Sequence, residues 1–144
     1  MLEQRLSLIT LGADDVTQLS NFYIDIFGWQ PLPSSNEDIT FFHLNGFQLA
    51  IFSRDALAQD AEVPPEGSGF KSFSLAYNLQ SKSAVDNLFE EFQSKGVIIR
   101  KKPEEVFWGG YSDYIADPED NLWEIAYNPY MSFDEDGNVI DETE

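Results

Sequence analysis

Cysteine is absent from the 144 residues, so neither a disulfide framework nor thiolate chemistry is available. Histidine occurs once, at His43, and there is no Gly-x-Ser-x-Gly elbow, which leaves nucleophilic catalysis without support. Basic residues are scarce: 8 Lys and Arg stand against 26 Asp and Glu, for a net charge of −18. Such a chain repels phosphate backbones, and no nucleic-acid partner is expected. The acidity either draws in a cationic ligand or simply maintains solubility. No apolar run approaches the roughly 20 residues that cross a bilayer, so no membrane partner is expected either. The opening Met1-Leu2-Glu3-Gln4-Arg5 lacks the basic and apolar regions of a secretory signal. Together with the missing cysteine, this leads us to expect a cytoplasmic protein.

Hydrophobic residues make up 42% of the chain and aromatic residues 15%, ample for one packed domain or two small modules sharing a core. The dominant pattern is an internal repeat. Leu8–Gly28 reads as a strand, a turn, an amphipathic helix and a glycine stop, and Ser74–Gly96 repeats that plan. Strand-like runs follow each copy: Ile39–Leu44 and Phe47–Ser53 in the first, Val97–Lys101, Tyr111–Ala116 and Leu122–Tyr127 in the second. Two copies of one strand–helix–strands module imply a pseudo-symmetric sheet with a cleft between the halves. Residues 1–130 form this domain, with module one at 5–53 and module two at 70–130. Residues 54–69, carrying Pro64, Pro65, Gly67 and Gly69, read as the linker between them. Residues 131–144 form an acidic tail, in which Asp134, Glu135, Asp136, Asp141, Glu142 and Glu144 occur without any Lys or Arg. Asp136-Gly137 suits a small hairpin turn between Phe133 and Val139-Ile140.

The first helix starts at Asp14 or Asp15, either of which accepts hydrogen bonds from first-turn N–H groups, and ends at Gly28. Val16, Leu19, Phe22, Tyr23, Ile26 and Phe27 give it one buried stripe. Ser81 or Ser83 caps the second helix, whose stripe is Val85, Leu88, Phe89 and Phe92. Strand alternation sets Trp123, Ile125 and Tyr127 on one face, and Leu122, Glu124 and Ala126 on the other. Near Ser74, Phe73, Leu75 and Tyr77 likewise oppose Ser72, Ser74, Ala76 and Asn78. The bulky faces are expected beneath the helices. The small and polar faces are left to line a cavity or to meet solvent.

The run Phe107–Pro129, FWGGYSDYIADPEDNLWEIAYNP, resembles the closing segment of the vicinal oxygen chelate superfamily of glyoxalase-type lyases, extradiol dioxygenases, fosfomycin-modifying enzymes and bleomycin-binding resistance proteins. Its most specific mark is Asp117-Pro118 followed by Leu122-Trp123-Glu124; Leu8–Trp29, with Phe22-Tyr23 and Phe27-Gly28-Trp29, looks like the opening strand and helix. The resemblance covers residues 5–130. It implies an α+β fold in which two βαβββ modules form a curved eight-stranded mixed sheet around a cleft, with helices on the outer face. Asp120 stands where the family usually has a turn glycine, a place Asp tolerates because it accepts left-handed backbone better than most residues.

Metal-dependent members hold a divalent ion with two histidines and two glutamates. The resemblance sets these positions at Leu8, Ala50, Ser74 and Glu124, and only Glu124 matches. Leucine and alanine offer no lone pair and a serine hydroxyl is a poor ligand, so neither a metal nor another cofactor is expected. Asp113, Asn78 and Gln48 supply oxygen atoms without a ligand spacing, and Asp134–Asn138 lacks the alternate ligands of a calcium loop. Trp108-Gly109-Gly110-Tyr111 has no strand–helix phosphate-loop context and reads as the start of a strand, its tryptophan flanking the cleft.

Glu124 is either one acid on an exposed strand face or an anchor inside a partly apolar cavity. The expected function is metal-independent binding of a small molecule near Glu124, with Trp108, Asn78, Ser74 and Gln48 as further anchors and Leu8 and Ala50 as apolar floor. The alternative is a lyase or dioxygenase of glyoxalase type with a metal site rearranged around Glu124 and His43. Acidity and resemblance also suggest sequestration of a cationic antibiotic of the bleomycin type. No catalytic residue is assigned. A homodimer is expected by resemblance and because partly open sheets leave edges to cover.

Overall fold

A computed structural model describes residues 1–140; Asp141, Glu142 and Glu144 of the acidic tail lie outside the described residues. The chain divides into two compact units, Met1–Gly69 and Phe70–Glu144. Among the described residues, no helix is long and apolar enough to cross a membrane.

The first unit runs β1 (Leu8–Ala13), α1 (Val16–Asp25), β2 (Ile39–His43), β3 (Gln48–Ser53) and α2 (Arg54–Ala61). Its sheet has the order β1-β3-β2, with β1 parallel and β2 antiparallel to β3. Asp15, rather than Asp14, caps α1, its carboxylate accepting from Gln18 N at 2.9 Å. Leu19, Phe22 and Tyr23 carry α1 onto the sheet face of Leu11, Leu49, Ile51 and Phe42, and all of these are buried. Phe27 and Trp29 extend that packing: Trp29 stacks on Tyr23 with ring centroids 5.6 Å apart.

The second unit runs β4 (Leu75–Asn78), α3 (Lys82–Ser94), β5 (Ile98–Glu105), β6 (Tyr111–Ala116) and β7 (Leu122–Tyr127). The strand order is β4-β7-β6-β5, with β4 parallel to β7 and the other pairs antiparallel. Ser81 caps α3 by accepting from Ala84 N at 3.1 Å. Val85 and Phe92 are buried on α3, which packs on β5, β6 and β7, where Trp123, Ile125 and Ile115 are buried. In both units the first strand pairs in parallel with the last, with the helix in the connection between them, so the repeat read in the sequence is also a repeat of topology.

Four expectations need correction. The expected single curved sheet of eight strands is not what the described residues form: seven strands hydrogen-bond as two sheets, of three and four strands. The first unit is short of a strand because Pro31-Leu32-Pro33 follows α1. Proline offers no N–H to a ladder, and the segment makes only an isolated Pro31–Phe42 bridge, with Leu32 N donating to Phe41 O at 2.8 Å. Second, the expected linker opens with α2, capped by Ser53 accepting from Ala56 N at 3.2 Å and closed at Glu62 in left-handed backbone. Gly12 makes room for it, since a Cβ there would come within 3.2 Å of the Arg54 Cα. Third, β5 runs on past Lys101 through Pro103, which an edge strand with two register shifts accommodates. Fourth, Phe73 and Tyr77 are exposed rather than packed under a helix, because α3 packs on β5, β6 and β7 and does not reach β4 or the residues before it. The Asp136-Gly137 turn is present: Phe133 bridges Val139, and Gly137 N donates to Asp134 O at 3.1 Å.

Candidate functional site

Strand register assembles a polar row on the face of the second sheet that α3 leaves uncovered. Glu124 of β7 lies between Ala76 of β4 and Tyr114 of β6, and Tyr114 in turn is paired with Lys101 of β5. An acid, a phenol and an amine from three strands therefore stand side by side. The Tyr114 hydroxyl is pushed above its ordinary pKa by burial, then by the charge of Glu124 and its hydrogen bond to that carboxylate, so it is a neutral donor at physiological pH.

Beside this row lies a groove of about 470 Å³. Phe70, Phe73 and Leu122 form its apolar walls, Ser74 and Tyr114 its neutral polar lining, and Arg100 and Lys101 bring two cations. Arg100 donates through Nη2 to Asp120 at 2.6 Å, and Lys101 Nζ lies 4.0 Å from Glu104; both pairs are solvent-exposed. The Asp117–Asn121 turn directly precedes Leu122 of the groove wall. There buried Asp117 accepts from the backbone N–H groups of Glu119 and Asn121 at 3.0 and 2.9 Å, and from the Asn121 side chain. Asp120 holds the left-handed conformation (φ +62°) that the sequence demands of it.

On the opposite face, under α3, Asp113 is 0% exposed and neither carboxylate oxygen has a hydrogen-bond partner. Burial, followed by the charges of Asp86 and Glu124, raises its carboxyl from 3.8 to about 7. Nearby, the Tyr111 hydroxyl donates to Asp86 at 2.6 Å; that bond, more than burial, pushes the phenol up to about 12.

The residues singled out from the sequence fall in several places. Ser74 lines the groove, and Glu124 adjoins it through Tyr114. Asn78 sits further along β4, opposite Ala126. Trp108 does not line the groove: its ring folds over Gly110, where any Cβ would clash, and lies 6.4 Å from the Tyr130 ring. Leu8, Gln48 and His43 form one row across the first sheet, and Ala50, paired with Thr10 and Phe41, shares their face but is fully buried. Tyr114, Arg100, Lys101, Phe70 and Phe73 escaped the sequence reading. The available signal was Arg100-Lys101-Lys102, three of the chain's eight basic residues in succession.

A divalent metal does not fit the donor set. Of Leu8, Ala50, Ser74 and Glu124, only Glu124 carries a strong ligand, and among the described residues no group of three or more His, Cys, Asp or Glu side chains could hold an ion.

Residues 5–125 match the Glyoxalase/Bleomycin resistance protein/Dioxygenase superfamily. A search of curated proteins gave no match. Among solved structures, a glyoxalase-related enzyme from Fulvimarina pelagi is 33% identical, with a TM-score of 0.87 over 98% of this chain and 100% of its own. A glyoxalase/bleomycin resistance protein/dioxygenase family enzyme from Burkholderia phytofirmans PsJN is 27% identical, with a TM-score of 0.72 over 84% and 96% of the two chains. The genomically encoded fosfomycin resistance protein FosX from Listeria monocytogenes is 25% identical, with a TM-score of 0.68 over 90% and 97%. Fold, motif and sequence agree, and the chain belongs to the glyoxalase/bleomycin resistance protein/dioxygenase superfamily.

Proposed function

We propose that the protein binds a small organic molecule, without a metal, on the Glu124 face of the second unit. The observation that carries this reading is the row Glu124–Tyr114–Lys101 bordering a groove of ligand-sized volume. Glu124 orients the Tyr114 hydroxyl, and the groove lining provides apolar contact with a few polar groups to fix orientation. Leucine, alanine and serine at three of the four family metal positions support binding without an ion. In this reading the protein works as a cytoplasmic homodimer; β1 and β4 are sheet-edge strands, which association would cover.

Calorimetry with zinc, nickel and iron(II) on wild type and Glu124→Gln tests the metal-independent part. Weak binding, equal in the two proteins, is expected from surface acids alone. Tight one-to-one binding that Glu124→Gln abolishes would overturn it.

The description of the 33% identical relative as a glyoxalase-related enzyme favours a second reading, a metal-dependent lyase or dioxygenase of glyoxalase type. Tight one-to-one metal binding in wild type that Glu124→Gln abolishes is the outcome that selects it.

A further inference from the structure

Acidic residues outnumber basic ones 26 to 8 in this chain, yet the groove of the second unit is lined by two cations and no acid. Three of its walls are aromatic: Phe70, Phe73 and Tyr114. Phe70 and Phe73 are 74% and 42% exposed, large apolar side chains held in the open rather than tucked away.

The backbone is built to hold them there. Gly69 and Ser72 both take positive φ, +83° and +64°, and the chain bends at each just ahead of β4. Serine adopts that conformation only at a cost, which persists where surrounding contacts impose it. Those contacts come from Lys71, which lies between the two phenylalanines. Its ammonium donates to Glu119 O at 2.8 Å and to Asn121 Oδ1 at 3.1 Å, clamping the segment to the Asp117–Asn121 turn. Across the groove, Arg100 commits one guanidinium nitrogen to Asp120, and its other donors remain; Lys101 is at the outer limit of contact with Glu104.

We infer that the groove takes a flat aromatic acid, a molecule whose ring lies against Phe70 and Phe73 and whose carboxylate meets Arg100 and Lys101. Offset or edge contacts between aromatic rings supply affinity beyond area burial, and a charge-assisted hydrogen bond fixes the acidic end. The Tyr114 hydroxyl reads a polar substituent between the two. This inference rests on the reading that a small molecule binds the Glu124 face, and it adds the sign of the ligand's charge. It runs against the net charge of the whole protein, which on its own points to a cationic ligand.

The test uses sodium 2-naphthoate and its neutral counterpart 2-naphthamide, each titrated into the full chain by calorimetry and by amide NMR shifts. Naphthoate is expected to bind one-to-one, shifting residues 70–74, 100–101 and 114. It should bind about tenfold or more tightly than the amide, the difference expected of one charge-assisted contact. Arg100→Gln with Lys101→Gln should bring naphthoate down to the level of the amide. Lys102→Gln removes a neighbouring charge that does not line the groove, and should leave most of the preference intact. Equal affinity for acid and amide, shifts elsewhere, no binding, or an equal loss in Lys102→Gln would each overturn the aromatic-acid inference. So would groove shifts that follow protein concentration instead of probe, since a second copy of the chain would then be the occupant. If the amide binds on this face as well as the acid, the inference fails while the small-molecule reading stands. The metal titrations on Glu124→Gln judge the metal-independent part of that reading separately.

Discussion

Between helix and sheet, the first unit buries a polar pair that is complete: the Ser20 hydroxyl donates to Thr40 Oγ1 at 2.9 Å. The second unit buries Asp113 in the corresponding layer with neither oxygen bonded. The contrast extends to the aromatics. Phe22, Tyr23, Phe27, Trp29 and Phe42 form one continuous ring cluster in the first unit, whereas Phe70, Phe73, Tyr77 and Trp108 of the second are exposed. Two copies of one topology have diverged in what they do with the same layers. The first puts its rings into its own stability. The second keeps an uncompensated acid inside and rings outside, and exposed apolar area with strained backbone is where binding surfaces are found.

Core truncation should hurt both units. Trp123→Ala is expected to cost ~3–5 kcal/mol in denaturant unfolding, the cost of emptying a large packed site. An unchanged midpoint would mean that the α3 face of the second sheet is not the core it is described as.

The orphaned carboxyl gives the second unit a pH signature. The folded state holds the Asp113 proton up to about pH 7, while an unfolded chain releases it near 3.8. Between those values the folded state binds more protons at this carboxyl, so its contribution to stability is fully present below about pH 4, is lost as pH rises to about 7, and then levels. The loss from this one group is about 4 kcal/mol. The charges that act on it are Asp86 of α3 and, from across the sheet, Glu124 of β7; the Tyr111 hydroxyl holds Asp86 in place, with Lys82 over the Tyr111 ring and paired with Glu105 of β5. Asp113→Asn should flatten that slope in melts taken from pH 4 to 8. A slope that survives the substitution would assign it to other acids and erase the contrast between the units.

Ser20→Ala leaves buried Thr40 without its partner and should cost about 1–3 kcal/mol, with no dependence on pH over the same range. The smallest effects should be the most alike. Asp15→Ala and Ser81→Ala each remove a helix cap, and ~1 kcal/mol is expected from either. A large disparity would show that the two helices do not contribute equally to their units.

Local signals made the repeat, both caps, the burial of Trp123 and the turn at Asp120 legible in the sequence, because each depends on residues a few positions apart. Of the groove proposed as the site and the row beside it, only Glu124 and Ser74 were singled out from the sequence. Tyr114, Lys101 and Glu124 come from three strands, and nothing in any one strand announces their pairing; a register shift in β5 decides which basic residue stands opposite Tyr114. α2 was hidden by the prolines and glycines that follow it, although Ser53, with Asp55 two residues on, was a fair start signal. The parity that buries Trp123 failed at Phe73 and Tyr77, since alternation says which way a side chain points and not whether anything lies there.

The proline-flanked bridge at Pro31 has a consequence for crowded or concentrated solutions. Beside β2, where another chain's strand would otherwise add to the sheet, lies a segment with Pro31 and Pro33 in it, neither of which donates a backbone hydrogen bond. That flank is therefore blunted against templated growth, the route by which exposed strands recruit like strands into fibrils. Replacing both prolines with valine would supply the missing ladder donors and lengthen the sheet, at the risk of turning a closed border into a seed.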